Sequence, residues 1–300
     1  MRPFVLVLLV AALFAPSLAR AQDDEPGPRS ATEAPRRHGV MHEQLVGLLN
    51  PMGAEHRLDF AYRAELGDDD DLFTQGTHLE IGASTAVSPV YAFGGGYVQV
   101  SPLSFLVLRG DVQGAGVWPI GMDGAGYYAV PGYDAEVQNA ALPADRGGSA
   151  HGWLAQLTVT LQGAIDLGGG ARLLGGSELA LAFEEMGDAP YYDSMKHDAI
   201  MARDETILLS STFVGVELPV ASDLVLRWGA YDDLRVVPAS GYVGHQLGPL
   251  AMLEWHHVTP QVASLGVFAR GGGYTHHLYR AGEATVLVGL AIDFDLGDLR

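Results

Sequence analysis

The chain has 300 residues, no cysteine, 39 glycines and a formal net charge of −19. That length suits one large domain or two small ones, and the absence of cysteine excludes a disulfide scaffold. The acidity argues against nucleic acid, whose phosphates need Lys and Arg.

Residues 1–21 (MRPFVLVLLVAALFAPSLARA) start with a positive residue, Arg2. An apolar run from Phe4 to Phe14 follows, broken at Pro16, and the small-x-small trio Ala19-Arg20-Ala21 closes the segment. This is the layout of a secretory signal peptide cleaved after Ala21, and the run is short for a membrane helix. Cleavage would remove Arg2 and Arg20 and no acid, so the mature chain is more acidic still. Residues 22–40 are polar, charged and Pro-containing, without apolar periodicity, and read as a flexible periplasmic leader. The folded domain is expected over 41–300.

From there the chain alternates with a period of two. In 56–66 (HRLDFAYRAEL), Arg57, Asp59, Arg63 and Glu65 share one side of an extended strand, and Leu58, Phe60, Tyr62, Ala64 and Leu66 the other. Twelve candidate strands repeat the pattern: 42–49, 56–66, 76–87, 90–100, 104–117, 151–165, 171–184, 204–218, 223–232, 246–257, 262–274 and 284–296. Their length is that of membrane-spanning β-strands. Arg109 and Asp111 oppose Leu106, Leu108 and Val112; Arg172, Glu178 and Glu184 oppose Leu173, Leu179, Leu181 and Phe183; Arg227 opposes Leu224, Leu226 and Trp228. Burying such arginines in a dry core is expensive, and a wet lumen removes that cost. A strand in hydrocarbon must pair every backbone group, which only a closed sheet achieves without edges. The expectation is an all-β fold, a closed antiparallel up-and-down transmembrane barrel of about twelve strands (10–14 fit the spacing). A ten-strand barrel starting at His56, with 76–100 as one bent strand, is the variant. A soluble exported β-sandwich is the alternative, because sandwiches also alternate.

Long connections at 118–150, 185–203, 233–245 and 275–283 alternate with short ones at 166–170, 219–222 and 258–261. Outer-membrane barrels put long loops outside and short turns in the periplasm. The last strand therefore descends, and twelve strands leave GDDDDLFTQG (67–76) in the periplasm.

At this point the chain resembles bacterial outer-membrane β-barrel proteins as a class, though no particular porin family. The likeness rests on the signal, the hairpin rhythm and the ending Gly289-Leu290-Ala291-Ile292-Asp293-Phe294. That ending is similar to the terminal-strand signal read by the barrel assembly machinery, although Gly297-Asp298-Leu299-Arg300 follows where many relatives end in an aromatic. The resemblance implies the outer membrane of a Gram-negative bacterium, with outer-membrane lipid and the assembly machinery as partners.

The candidate lumen charges are Arg57, Asp59, Arg63, Glu65, Glu80, Arg109, Asp111, Arg172, Glu178, Glu184, Glu217, Arg227, Glu254, Arg270 and Asp293. They make either a pore wall whose charge selects ions or a lumen plugged by Arg–carboxylate pairs, since a twelve-strand barrel is narrow. Asp123, Asp134, Glu136 and Asp145 in the longest loop would draw small cationic solutes to an acidic mouth. No metal or other cofactor is expected. Asp68 to Asp71 lack the spacing of a calcium loop. The pairs His256-His257 and His276-His277 point to opposite strand faces, and Met195, His197 and Met201 form a soft cluster in a loop. A barrel enzyme acting on lipids needs nucleophile, base and orienting group on adjacent strands near the interface. Ser210, Ser211 and His151 show no connecting spacing and no catalytic motif appears, so catalysis is not the expectation. A passive channel or structural barrel is.

Overall fold

The computed structural model describes residues 37–49, 52–66, 74–133 and 142–298. The signal segment, most of the leader and the Asp68 to Asp71 run lie outside the described residues, as do Asp134 and Glu136. Among the described residues no helix is long and apolar enough to cross a membrane.

The period-two alternation becomes strand throughout. In chain order the strands are β1 (Arg37–Leu49), β2 (Gly53–Glu65), β3 (His78–Val87), β4 (Tyr91–Leu103), β5 (Leu106–Val117), β6 (Ala150–Gly168) and β7 (Ala171–Met186). Then come β8 (Tyr191–Ser194), β9 (Ala199–Ala202), β10 (Asp204–Ala221), β11 (Leu224–Val237), β12 (Tyr242–His256), β13 (Val262–His276) and β14 (Ala284–Asp298). Twelve of these form one closed antiparallel barrel, while β8 and β9 pair only with each other as a separate hairpin. The barrel closes where β1 meets β14, with Leu45 opposite Leu290 and Gly47 opposite Val288. Closure leaves no open edge, as a sheet in hydrocarbon requires. It rules out both the sandwich and the ten-strand variant: 76–100 is two strands, β3 and β4, paired antiparallel from His78–Ser101 to Val87–Ala92. Strand β1 starts at Arg37, upstream of the expected start of the domain.

An even strand number puts both chain ends at one end of the barrel, here the terminal end. Four of the five connections at this end have two to five residues, and the fifth, 66–77, lies partly outside the described residues. Between β6 and β7, Gly168, Gly169 and Gly170 all take positive φ (86°, 64° and 80°), where a side chain would be strained. The connections 118–149 and 187–203 leave from the opposite, loop end. The strands that carry them are the long ones: β6 has 19 residues and β10 has 18, against 10 in β3. One side of the wall therefore stands taller than the other.

The outward face is apolar and exposed. Val112 is 63% exposed, Leu157 57%, Ile81 55%, Trp228 53% and Leu181 47%, although no protein atom covers them. In water a closed belt of this kind is an aggregation liability; against lipid tails it is the required surface. Trp153, outward near the loop end, packs at a tilt on Phe183 with ring centroids 5.0 Å apart and donates its indole N–H to Glu185 at 3.0 Å. That pairing of apolar ring and wet tip suits a membrane interface.

Candidate functional site

The strand register places the expected lumen charges on the inward face and knits them into belts. Toward the terminal end, Arg63 donates from Nε to Glu80 at 2.7 Å, and Glu80 also accepts from the Tyr97 hydroxyl at 3.3 Å. Across the lumen, Arg172 and Arg227 both donate from Nε to Glu217 at 2.7 Å, and Arg227 continues to Glu254. Asp293 accepts from Ser264 at 2.7 Å and lies 2.7 Å from His42. Farther up, Arg109 bridges Asp59 (2.7 Å) and Asp111 (2.8 Å) with its guanidinium 3.8 Å from the Tyr97 ring centroid. Arg270 donates to Asp233 at 2.6 Å and covers the Tyr231 ring. Arg57 reaches Glu55 at 3.2 Å; Glu65 and Glu178 belong to the same inward rows.

These arginines keep 23–33% of their side-chain surface exposed, while their carboxylate partners keep 2–13%. The guanidinium groups are the more exposed partners on the lumen side and the carboxylates lie against the wall. A wall so built is wet and polar, and it can order the ions beside it.

The loop end is different. Residues 187–203, here the strap, turn inward rather than away. Hairpin β8–β9 pairs Tyr191 with Ala202 and Ser194 with Ala199. The longest loop adds to it, Val130 N–H donating to Tyr191 O at 3.0 Å and Asp193 N–H to Tyr128 O at 3.1 Å. Tyr192, Ala199 and Met201, at most 1% exposed, pack on inward wall residues Phe93, Leu154, Ala182, Met186, Ile207 and Val237. Under the β8–β9 hairpin the wall is mostly apolar or small, with charged positions reserved for the strap's tip, and the arginine belts lie below it.

The tip of the strap carries charge and ties to the wall on several sides. The Lys196 ammonium donates to Glu55 on β2 at 3.1 Å. His197 Nε2 lies 3.1 Å from Glu184 on β7, whose other oxygen accepts from Tyr192 and Ser194 at 2.9 Å. Asp198, at φ 49°, faces His277 (3.2 Å), Tyr274 (3.3 Å), Arg280 (3.4 Å) and Arg235 (3.8 Å) from β11, β13 and the following loop. Burial alone would raise its pKa; His277, Arg280 and Arg235 overcome that and hold Asp198 well below the usual carboxylate range. Asp193 goes the other way, pushed up to about 8 by burial and by the nearby Asp198 charge, with Arg280 only partly offsetting. Burial and Arg57 lower the pKa of Lys196 despite Glu55.

The remaining sequence candidates fall in other places. Asp123 accepts the Ala144 N–H at 2.8 Å and ends up organising its own loop, and Asp145 lies in a 3-10 turn, Ala144–Arg146. Met201 is core and His197 an ion-pair partner. Among the described residues no group of three or more His, Cys, Asp or Glu could hold a metal ion. Ser211 donates to Asp233 inside the lumen, with no link to His151. The strap itself was not visible in the sequence: two four-residue strands are too short to show a period.

No protein-family model matches the chain, and neither does any curated protein. Solved structures similar in shape include the NanC porin, 9% identical over 85% of this chain and 98% of that one, with a TM-score of 0.39. The β-domain of the Bordetella autotransporter BrkA is 10% identical over 86% and 99%, at 0.43. OprD from Pseudomonas aeruginosa is 10% identical over 93% and 97%, at 0.33. At these values the likeness is one of general barrel form and identifies no family.

Proposed function

We propose that this outer-membrane-type barrel is a passive channel for small solutes whose outer mouth is gated by the strap. The observation that carries the reading is the contrast inside the lumen: a wet, ion-paired wall below and a docked hairpin above, tied down by a few charged contacts at Lys196, His197 and Asp198. With the strap docked, the narrow lumen is stopped at its loop end. With it released, solutes enter a passage walled by Arg57, Arg109, Arg270, Glu178 and the belts beneath. The Glu55 and Glu184 carboxylates near the mouth, with Glu178 below them, favour small cations over anions.

Swelling of liposomes containing the purified protein tests this. The intact chain is expected to admit small sugars slowly. A variant in which 190–203 is replaced by a short Gly-Ser link should admit them many times faster. Equal, slow swelling of both would mean that the lumen is sealed below the strap and the barrel is structural.

A further inference from the structure

The outward face carries three polar side chains that the channel reading does not use. Asp232 on β11, His245 on β12 and Thr275 on β13 lie on adjacent strands, near the loop end of each. His245 Nε2 is 3.2 Å from both carboxylate oxygens of Asp232, and His245 Nδ1 is hydrogen-bonded to the Thr275 hydroxyl. Their chain neighbours Asp233, Gln246 and Tyr274 belong to the inward face. Thr275 owes its position to a β-bulge: Gln246 opposes Tyr274 and His245 opposes His276, so Thr275 is the extra residue between them. Bulges re-aim side chains, often beside functional sites. The wall beside it is exposed and apolar, with Trp228 at 53% and Leu247 at 46%, and ionisable groups on a lipid-facing surface need a reason to be there.

We propose that Asp232, His245 and Thr275 form an acyl-transfer site that opens sideways into the outer leaflet and takes acyl esters of membrane lipids. A carboxylate that accepts Nε2–H fixes the tautomer in which Nδ1 is free to accept the threonine proton. Thr275 Oγ1 attacks the ester carbonyl carbon while Nδ1 takes its proton. The bond from that carbon to the lipid alkoxide oxygen breaks, and this oxygen receives the proton from Nδ1. Water then cleaves the acyl-threonine by the same route, releasing a fatty acid and restoring the hydroxyl. Thr275 and His245 touch the reacting atoms; Asp232 is a positioning residue. The site's place near the rim, beside apolar wall, puts an ester at the head-group level within reach, while the acyl chain stays in lipid.

The test is fatty-acid release, read by mass spectrometry, from the full chain refolded into vesicles of phosphatidylethanolamine and phosphatidylglycerol, and separately into vesicles carrying lipopolysaccharide in the outer leaflet. The vesicle that yields fatty acid identifies the ester as that of a phospholipid or of a glycolipid. Thr275→Ala and His245→Asn should each lower release about 100-fold or more, Thr275→Ser should retain it, and Asp232→Asn should lower kcat more than it changes KM. All four keep the inward face intact, so an unaltered heat-modifiable band on gels shows that they are folded. Release no greater than from protein-free vesicles in both systems, or release undiminished in Thr275→Ala and His245→Asn, overturns the proposal.

Discussion

The two ends of the lumen are built from inward positions of the same strands, yet one is dry and the other wet. On β7, Ala182 and Met186 face the strap while Arg172 and Glu178 face the lumen below it. On β4, Phe93 packs against the strap and Tyr97 supports the arginine belts. A strand alternates faces regardless of what lies inside, so what separates the two regions is only which residue fills each inward position. The dry end is held by packing, where a lost methylene leaves a cavity. The wet end is held by ion pairs between part-exposed arginines and buried carboxylates, where losing an arginine strands a carboxylate, while a lumen charge outside those pairs costs little to lose.

The sharpest way to separate the two is to remove packing. Met201 is fully buried in the strap, and Met201→Ala should weaken docking by about 2–5 kcal/mol. Faster proteolysis at the strap and more frequent opening in bilayers would show it. A variant that stays as closed and as protected as the parent would place the closure in the charged tip alone. Next comes the facing of the wall. Leu181→Arg, on the exposed outer side of β7, should cost about 2–4 kcal/mol near the midplane and impair assembly, read as lost heat-modifiability.

The pH comes next. Asp193 is fully buried and faces Asp198, Arg280 and Tyr279. Its pKa, 3.8 when free and up to about 8 when docked, means that the docked strap holds a proton which the released strap gives up. That contribution to docking is complete below the free value, declines through the window between the two values, and is lost above about pH 8. Opening should become more frequent as pH rises through that window, and Asp193→Asn should flatten the rise. A steep pH profile surviving in Asp193→Asn would assign the switch to another group. Asp198 has the opposite sign: its contribution disappears only under acid conditions below the usual carboxylate range. The smallest effect belongs to the wet end: Glu178→Gln should change stability by less than about 0.5 kcal/mol. If it matched Leu181→Arg, the assignment of faces would be wrong.

How much of this was legible in the sequence depends on the length of each pattern. All twelve barrel strands follow from alternation over eight or more residues, and so does the inward placement of Arg109, Asp111, Arg172 and Glu217, because one register fixes every side chain on a strand. The strap was invisible because Tyr191–Ser194 and Ala199–Ala202 span four residues each. Met195, His197 and Met201 read as a soft cluster, when Met201 is core and His197 pairs with a strand carboxylate. The outward trio was missed for a different reason. The expected strands stopped at 232 and restarted at 246, while β11 runs to Val237 and β12 starts at Tyr242, so His245 read as loop. The bulge that exposes Thr275 has no signature in one sequence.

The most direct test of the central claim is single-channel conductance in a planar bilayer, comparing the intact chain with the variant whose 190–203 segment is a Gly-Ser link. The account predicts rare, brief steps from the intact protein and a sustained, cation-preferring conductance from the shortened one. Silence from a shortened barrel that inserts and is fully folded would contradict it, because the wet lumen below the strap would then lead nowhere.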